Sequence, residues 1–160
     1  VGGADIQSSK KSKQGGTMPI EIPKDKWPGA VRQVVIGATS AEGGTRASKV
    51  VVGGQTAMPF MHFEGSIPNR PVVALEIRDR RPDDWSPLLF ETWGGVMDDP
   101  TAWAKAAEAA GADLLQLGLS LTQKDGSPNT PEAAVAVVKA VLAASDLPLI
   151  VFGPGQAELD

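Results

Sequence analysis

Apolar positions along this chain follow two different spacings. Residues 31–38, VRQVVIGA, and 47–54, ASKVVVGG, are β-branched runs. Between them, TSAEGGTR carries Gly43-Gly44, which reach positive φ without steric cost. The pair of runs therefore predicts a β-hairpin. Residues 55–71, QTAMPFMHFEGSIPNRP, have an apolar middle and three prolines, and fit neither a helical nor a strand period. From there the pattern changes. VVALEI (72–77) is a short, mainly apolar run of the kind buried in a parallel strand. Asp99 and Pro100 form a cap and first position for a helix over 101–110. Its Trp103, Ala106, Ala107 and Ala110 recur at helical spacing, and Gly111 suits its stop. ADLLQLGL (112–119) predicts a second strand. Thr130 and Pro131 open a second helix with an apolar stripe of Val135, Val138, Val141 and Leu142. LPLIVFG (147–153) predicts a third strand.

The predicted order is a hairpin followed by β-α-β-α-β. Such alternation argues for a parallel α/β sheet with right-handed crossovers. Two frames satisfy it: an open doubly wound sheet, or the first three strands of a barrel. Residues 1–18, VGGADIQSSKKSKQGGTM, hold almost nothing to bury and read as a disordered arm or linker, with order expected from near Ile20. The Lys10-Lys11-Ser12-Lys13 cluster reads as solvated linker. A start at Val followed by a linker predicts a piece cut from a longer chain.

Composition narrows the function. With 15 Lys+Arg against 19 Asp+Glu, the net charge is −4, which disfavours nucleic acid as a partner. The absence of Cys removes disulfides, thiolate nucleophiles, Cys-ligated zinc and iron–sulfur ligation. One His rules out a multi-His metal site within the chain. No stretch approaches the length of apolar sequence a membrane span needs, and the first residues lack a signal-peptide core, so the reading is cytoplasmic.

In either frame ligands approach the carboxyl ends of the strands. Those ends lead into residues 78–98, residues 120–129 and the terminal GPGQAELD. The first is a long loop carrying Arg78, Asp79, Arg80, Arg81, Asp83 and Asp84. It reads either as a solvated charged turn with internal ion pairs or as a substrate or partner surface. The first reading leads; Trp85 and Trp93 add some weight to the second, because exposed aromatics are costly. No GxGxxG follows a strand, and GxxxxGK[ST] and GxSxG are absent. Gly153-Pro154-Gly155 is too short for a phosphate cradle, and its Pro lacks a donor. Glu76 and Asp79 are acid–base candidates by position, though Glu76 equally suits a polar barrel interior. His62 stands in Phe60-Met61-His62-Phe63-Glu64-Gly65. Against the corrinoid-ligating pattern DxHxxG, Phe60 replaces the Asp that orients the His. His62 is therefore read as a packing residue.

Four blocks carry a family resemblance: GATSAEGGTR (37–46), VVVGG (50–54), PFMHFEG (59–65) and NRPVVALEI (69–77). GADLLQLGL (111–119) and PLIVFGPG (148–155) follow in order. From about residue 30 onward the chain resembles the small (delta) subunit of the corrinoid iron–sulfur protein of the carbon monoxide dehydrogenase/acetyl-CoA synthase system.

The resemblance implies a (β/α)₈ TIM barrel whose N-terminal hairpin covers the bottom of the barrel. It implies a large-subunit partner that holds the iron–sulfur cluster, and a corrinoid (cobalamin) shared between that subunit and the top of the barrel. A methyltransferase would supply the methyl group from methyltetrahydropterin, and acetyl-CoA synthase would receive it. A closed barrel takes about 250 residues, so the expectation is a partial barrel: an arm over 1–18, and over 19–160 the hairpin with the first three strands. Barrel geometry then makes Asp79, Ser120, Thr122, Gln123 and Gly153 the expected cofactor-facing residues, hydrogen-bonding the amides of the corrin ring, with no catalytic or metal-ligating residue in this chain. Two alternatives stay open. A pterin-dependent methyltransferase of the same barrel type would want an Asp or Asn at the end of the second strand, where this chain has Gly118-Leu119-Ser120-Leu121. The other is a non-enzymatic α/β interaction module.

Overall fold

The computed structural model describes residues 29–61 and 63–154. The arm over 1–18, the start of order near Ile20, His62 and residues 155–160 lie outside the described residues. The hairpin forms as β1 (Val34–Ile36) and β2 (Val50–Val52), antiparallel with Val35 opposite Val51. It is shorter than its β-branched runs. A 3₁₀ turn over Ser40–Glu42 sits in its loop, closed by a box in which Thr39 and Glu42 bond each other's backbone. A second 3₁₀ turn covers Pro59–Met61.

The second sheet is parallel: β3 (Ala74–Arg78), β4 (Leu114–Gly118) and β5 (Leu149–Phe152), in the spatial order β3-β4-β5. Three helices accompany it: α1 (Pro87–Trp93), α2 (Pro100–Ala109) and α3 (Pro131–Ala144). The fold is thus mixed α/β with two sheets. The three described parallel strands form an open sheet and close no barrel.

Strand alternation sorts the side chains. Ile77, Leu115 and Leu117 are buried with Trp103, Ala104 and Ala107 of α2 and Val141 of α3, and Leu75 and Leu149 pack against this core. The opposite face carries two lateral rows, Glu76–Gln116–Ile150 and Arg78–Gly118–Phe152. One face is therefore a sealed apolar core, and the other is polar and open towards its carboxyl end.

Two helical stripes differ from expectation. In α2 the buried positions are Trp103, Ala104 and Ala107, while Ala110 is exposed. In α3 Val141 is buried, and Val137 and Val138 pack against the core, whereas Val135 is exposed. Spacing alone admits several rotations of an Ala/Val-rich helix. The contact with the sheet selects one.

The region over 78–98 is not a structureless loop, because it contains α1. Trp85, Phe90, Trp93 and Val96 pack against the core, and Met97 is fully buried. Trp85 meets Trp103 edge-on at 5.5 Å and 75°. The tryptophans expected as a binding surface serve the core.

The hairpin lies against the amino-terminal end of the sheet. Arg46 donates to the carbonyls of Ser145 (2.6 Å) and Leu142 (2.9 Å), the last carbonyls of α3 and its cap. Gly37 has φ +88°, and a Cβ there would come within 3.0 Å of Pro148, the residue that opens β5. Both conditions call for glycine at this seam. Asp113, just before β4, bonds Arg70 and the backbone N–H of Val73 (2.8 Å), tying the entry of β3 to that of β4.

Candidate functional site

The carboxyl ends of the strands open onto a cleft of about 530 Å³. Its floor is the open sheet face: Glu76 and Arg78 from β3, Gln116 and Gly118 from β4, and Phe152 from β5. Residues 119–122 and Gly153-Pro154 form its rim. A Cβ on Gly118 would stand 3.5 Å from Arg78 Cγ, so the glycine keeps this part of the floor low.

Two of the expected residues meet directly. The Asp79 carboxylate accepts the Ser120 backbone N–H at 2.8 Å and the Ser120 hydroxyl at 2.6 Å. It also accepts the Asn129 side-chain amide at 3.3 Å, and that amide donates to the Ser120 carbonyl at 2.8 Å. Asp79, Ser120 and Asn129 thus form one network across the ends of β3 and β4. Asn129 supplies an amide near the end of the second parallel strand, but from the far side of the loop. Its Oδ1 accepts the Thr130 N–H, so the whole group is committed to holding that loop.

The other expected residues are spread along the rim. Thr122 faces both the main cleft and a neighbouring one of about 380 Å³, while Gln123 faces only the neighbour. Gln123 Nε2 donates back to the Pro128 carbonyl at 3.3 Å, within its own loop. Gly153 lines the main cleft, with nothing within 4 Å of where its Cβ would be. The loop between them is held by Asp125, whose carboxylate accepts the Ser127 hydroxyl and N–H. Those bonds lower its pKa.

The charged segment is mostly paired. Arg78 bonds Glu76 at 2.9 Å, approaches Asp84 at 3.9 Å, and lies 5.2 Å above the Trp85 ring. Arg81 reaches Asp98 at 3.4 Å and stacks 5.0 Å above Phe90. The solvated-turn reading with internal ion pairs holds for these two arginines. Two contributors were missed by sequence reasoning. Arg80 lines the main cleft and its neighbours, and was hidden among equivalent charges. Asn129 was hidden by distance in sequence, although an Asn directly before a capping Thr-Pro is a usable signal.

A corrin ring is broad, flat and fringed with amides. The described cleft is open, with apolar Leu119, Leu121 and Phe152 beside the hydroxyl and amide groups of Ser120, Thr122 and Gln116. That combination suits such a group lying against the rim. Among the described residues, no group of three or more His, Cys, Asp and Glu is placed to hold a metal ion, and no helix is long and apolar enough to cross a membrane.

A family model described as CO dehydrogenase/acetyl-CoA synthase delta subunit matches residues 33–159. The chain is 37% identical over 142 residues to the acetyl-CoA decarbonylase/synthase complex subunit delta of Archaeoglobus fulgidus, covering 88% of this chain and 31% of that one. It is 36% identical over 134 residues to the subunit of the same name from Methanopyrus kandleri, covering 82% and 33%. It is 33% identical over 141 residues to that from Methanocaldococcus jannaschii, covering 88% and 34%. The chain spans about a third of the length of the curated relatives it matches.

Proposed function

The chain belongs to the CO dehydrogenase/acetyl-CoA synthase delta-subunit family, and from that premise we propose that it is the N-terminal part of a barrel subunit in a cytoplasmic methyl-transfer complex. In this reading β3, β4 and β5 are the first three strands of a (β/α)₈ barrel, and the hairpin covers its amino-terminal end. The large subunit holds the iron–sulfur cluster and shares a corrinoid with the carboxyl edge of this sheet. A methyltransferase and acetyl-CoA synthase are the further partners, and neither nucleic acid nor a membrane is one.

The observation that carries the reading is the arrangement β3-β4-β5 in chain order, with α2 and α3 together against one face. Right-handed crossovers that always step in the same direction keep their helices on one side, which is how a barrel begins. A doubly wound sheet reverses direction and places helices on both faces. The polar open face then becomes the barrel interior.

Bound at the carboxyl edge, the corrinoid supplies the metal centre that takes and gives the methyl group. This chain's residues position it. Thr122 and the Gly153 backbone offer hydrogen bonds to its amides. Asp79 and Asn129 hold Ser120 and the rim in place, and Leu119, Leu121 and Phe152 exclude water from one face. Gln123 extends the contact only if its amide leaves Pro128.

The test is corrinoid retention in the full subunit purified with its partners. Thr122→Ala together with Gln123→Ala is expected to release corrinoid faster, read by visible absorption, at unchanged melting temperature. Retention equal to that of the parent complex would overturn the placement of the cofactor.

A further inference from the structure

We propose that Arg80 anchors an oxyanion-binding site at the carboxyl edge of the sheet, taking a phosphate or carboxylate group of a small molecule. The reasoning starts from charge pairing. Arg78 is spent on Glu76 and Trp85, and Arg81 on Asp98 and Phe90. Arg46 is spent on the carbonyls that end α3, and Arg70 on Asp113. Arg32 is exposed on the hairpin side. Arg80 is half-buried, and among the described residues it forms neither an ion pair nor a hydrogen bond.

A guanidinium has five N–H donors in a planar fork, and partial burial removes part of the water that would satisfy them. The neighbouring carboxylates do not compensate it. Glu76 faces Arg78. Asp79 is occupied by Ser120 and Asn129. Asp83 lines two adjoining clefts without pairing with Arg80. Arg80 borders the main cleft, the cleft of Thr122 and Gln123, and the clefts on the Asp83 side. Asp84, Asp98 and Asp125 line these clefts too, and none pairs with Arg80; a fork left without a direct partner where several openings meet matches the bidentate geometry of phosphate and carboxylate. Lys124 lines two of the same clefts and adds positive charge, while its ammonium donates to the Asp98 carbonyl.

This site does not depend on the corrinoid reading, because its probes contain no corrinoid. Inorganic phosphate and glutarate are titrated separately, at constant ionic strength, into the full chain with the partner subunits that co-purify. Binding is read by calorimetry and by the Arg Nε–H resonances. At least one anion should bind saturably. Arg80→Gln should weaken that binding about tenfold or more, the loss expected for a charged hydrogen-bonding pair. Arg80→Lys should keep part of it, and Arg32→Gln all of it. Tighter phosphate assigns the site to a phosphate ester, and tighter glutarate to a carboxylate. The melting temperature without anion should be the same for Arg80→Gln as for the parent, since Arg80 holds no other residue among those described. Absence of saturable binding by both anions, or equal binding by Arg80→Gln, would overturn the proposal.

Discussion

Asp79 and Ser120 are 41 positions apart in sequence, yet one carboxylate accepts both the N–H and the hydroxyl of that serine. The contact fastens the carboxyl end of β3 to that of β4 at the rim of the cleft. Asp79→Ala would leave the Ser120 N–H and hydroxyl without their acceptor, and the Asn129 amide with the Ser120 carbonyl alone. It should cost about 1.5–3 kcal/mol, the range for hydrogen bonds to a charged group. It should also raise amide exchange at Ser120 and Asn129. Exchange unchanged at both positions would show that the rim holds itself without Asp79.

At the other end of the same strands, Asp113 has its pKa lowered from 3.8 to about 2 by the Arg70 guanidinium first and the Val73 N–H second. Glu42 falls to about 2 through Lys49 and Thr39. A carboxyl depressed in the fold binds its proton more readily when unfolded. Its stabilisation is therefore complete only above the unfolded values of 3.8 for Asp113 and 4.5 for Glu42, and is lost as the pH falls through them towards 2. Asp113→Asn should flatten this part of the acid limb in melts between pH 4 and 2. Because Glu42 is exposed and the Arg70 partner of the partly buried Asp113 is exposed too, the effect should shrink at high salt.

Arg46 is the polar bolt between the hairpin and the end of α3. Arg46→Met keeps much of the side-chain stem and removes both bonds to the Ser145 and Leu142 carbonyls. The expected loss is about 1–3 kcal/mol, with β1 and β2 exchanging before the parallel sheet. Uniform exchange across both sheets would mean that the hairpin stays docked without Arg46, through the bond from the Ala47 N–H to the Asp146 carbonyl and apolar contact.

Thr130 accepts the Ala133 N–H at 3.2 Å and caps α3. Thr130→Ala should cost about 0.5–2 kcal/mol, and Thr130→Ser much less. Denaturant melts of the two variants check it. Equal losses would place the effect in the threonine methyl group instead of the cap.

Leu117 is fully buried between the sheet and its helices. Leu117→Ala should cost about 2–5 kcal/mol. Val151→Ala, at the register partner on β5, should cost less, because Val151 is 46% exposed. The reverse order would mean that a further element covers β5 in the full chain.

Local chemistry made much of this architecture legible in advance. Asp99-Pro100 and Thr130-Pro131 mark helix starts because a side-chain acceptor and a residue without an N–H both suit that position. The three parallel strands show as apolar runs because one face meets helices. Ser86-Pro87 carries the same Pro signature and opens α1. Its seven residues lie in a highly charged stretch, and the charge masked the helix. Strand ends were legible only to within one to three residues, because a ladder stops where its partner stops.

What the chain's order of residues determined by itself is the hairpin, the three parallel strands, the helices that open at Pro100 and Pro131, and the sequence in which they follow one another. Those follow from propensities and periods that act over a few residues. Only the tertiary structure decided which helix face is buried, that Trp85 and Trp93 serve the core, that Asn129 returns to Asp79, and that Arg80, among the described residues, stays unpaired between two paired arginines. Arg78, Arg80 and Arg81 are chemically the same side chain within four positions. Their difference arises from which carboxylates and rings the rest of the chain folds against each one, and ion pairing depends on separations of a few ångströms that no local pattern encodes.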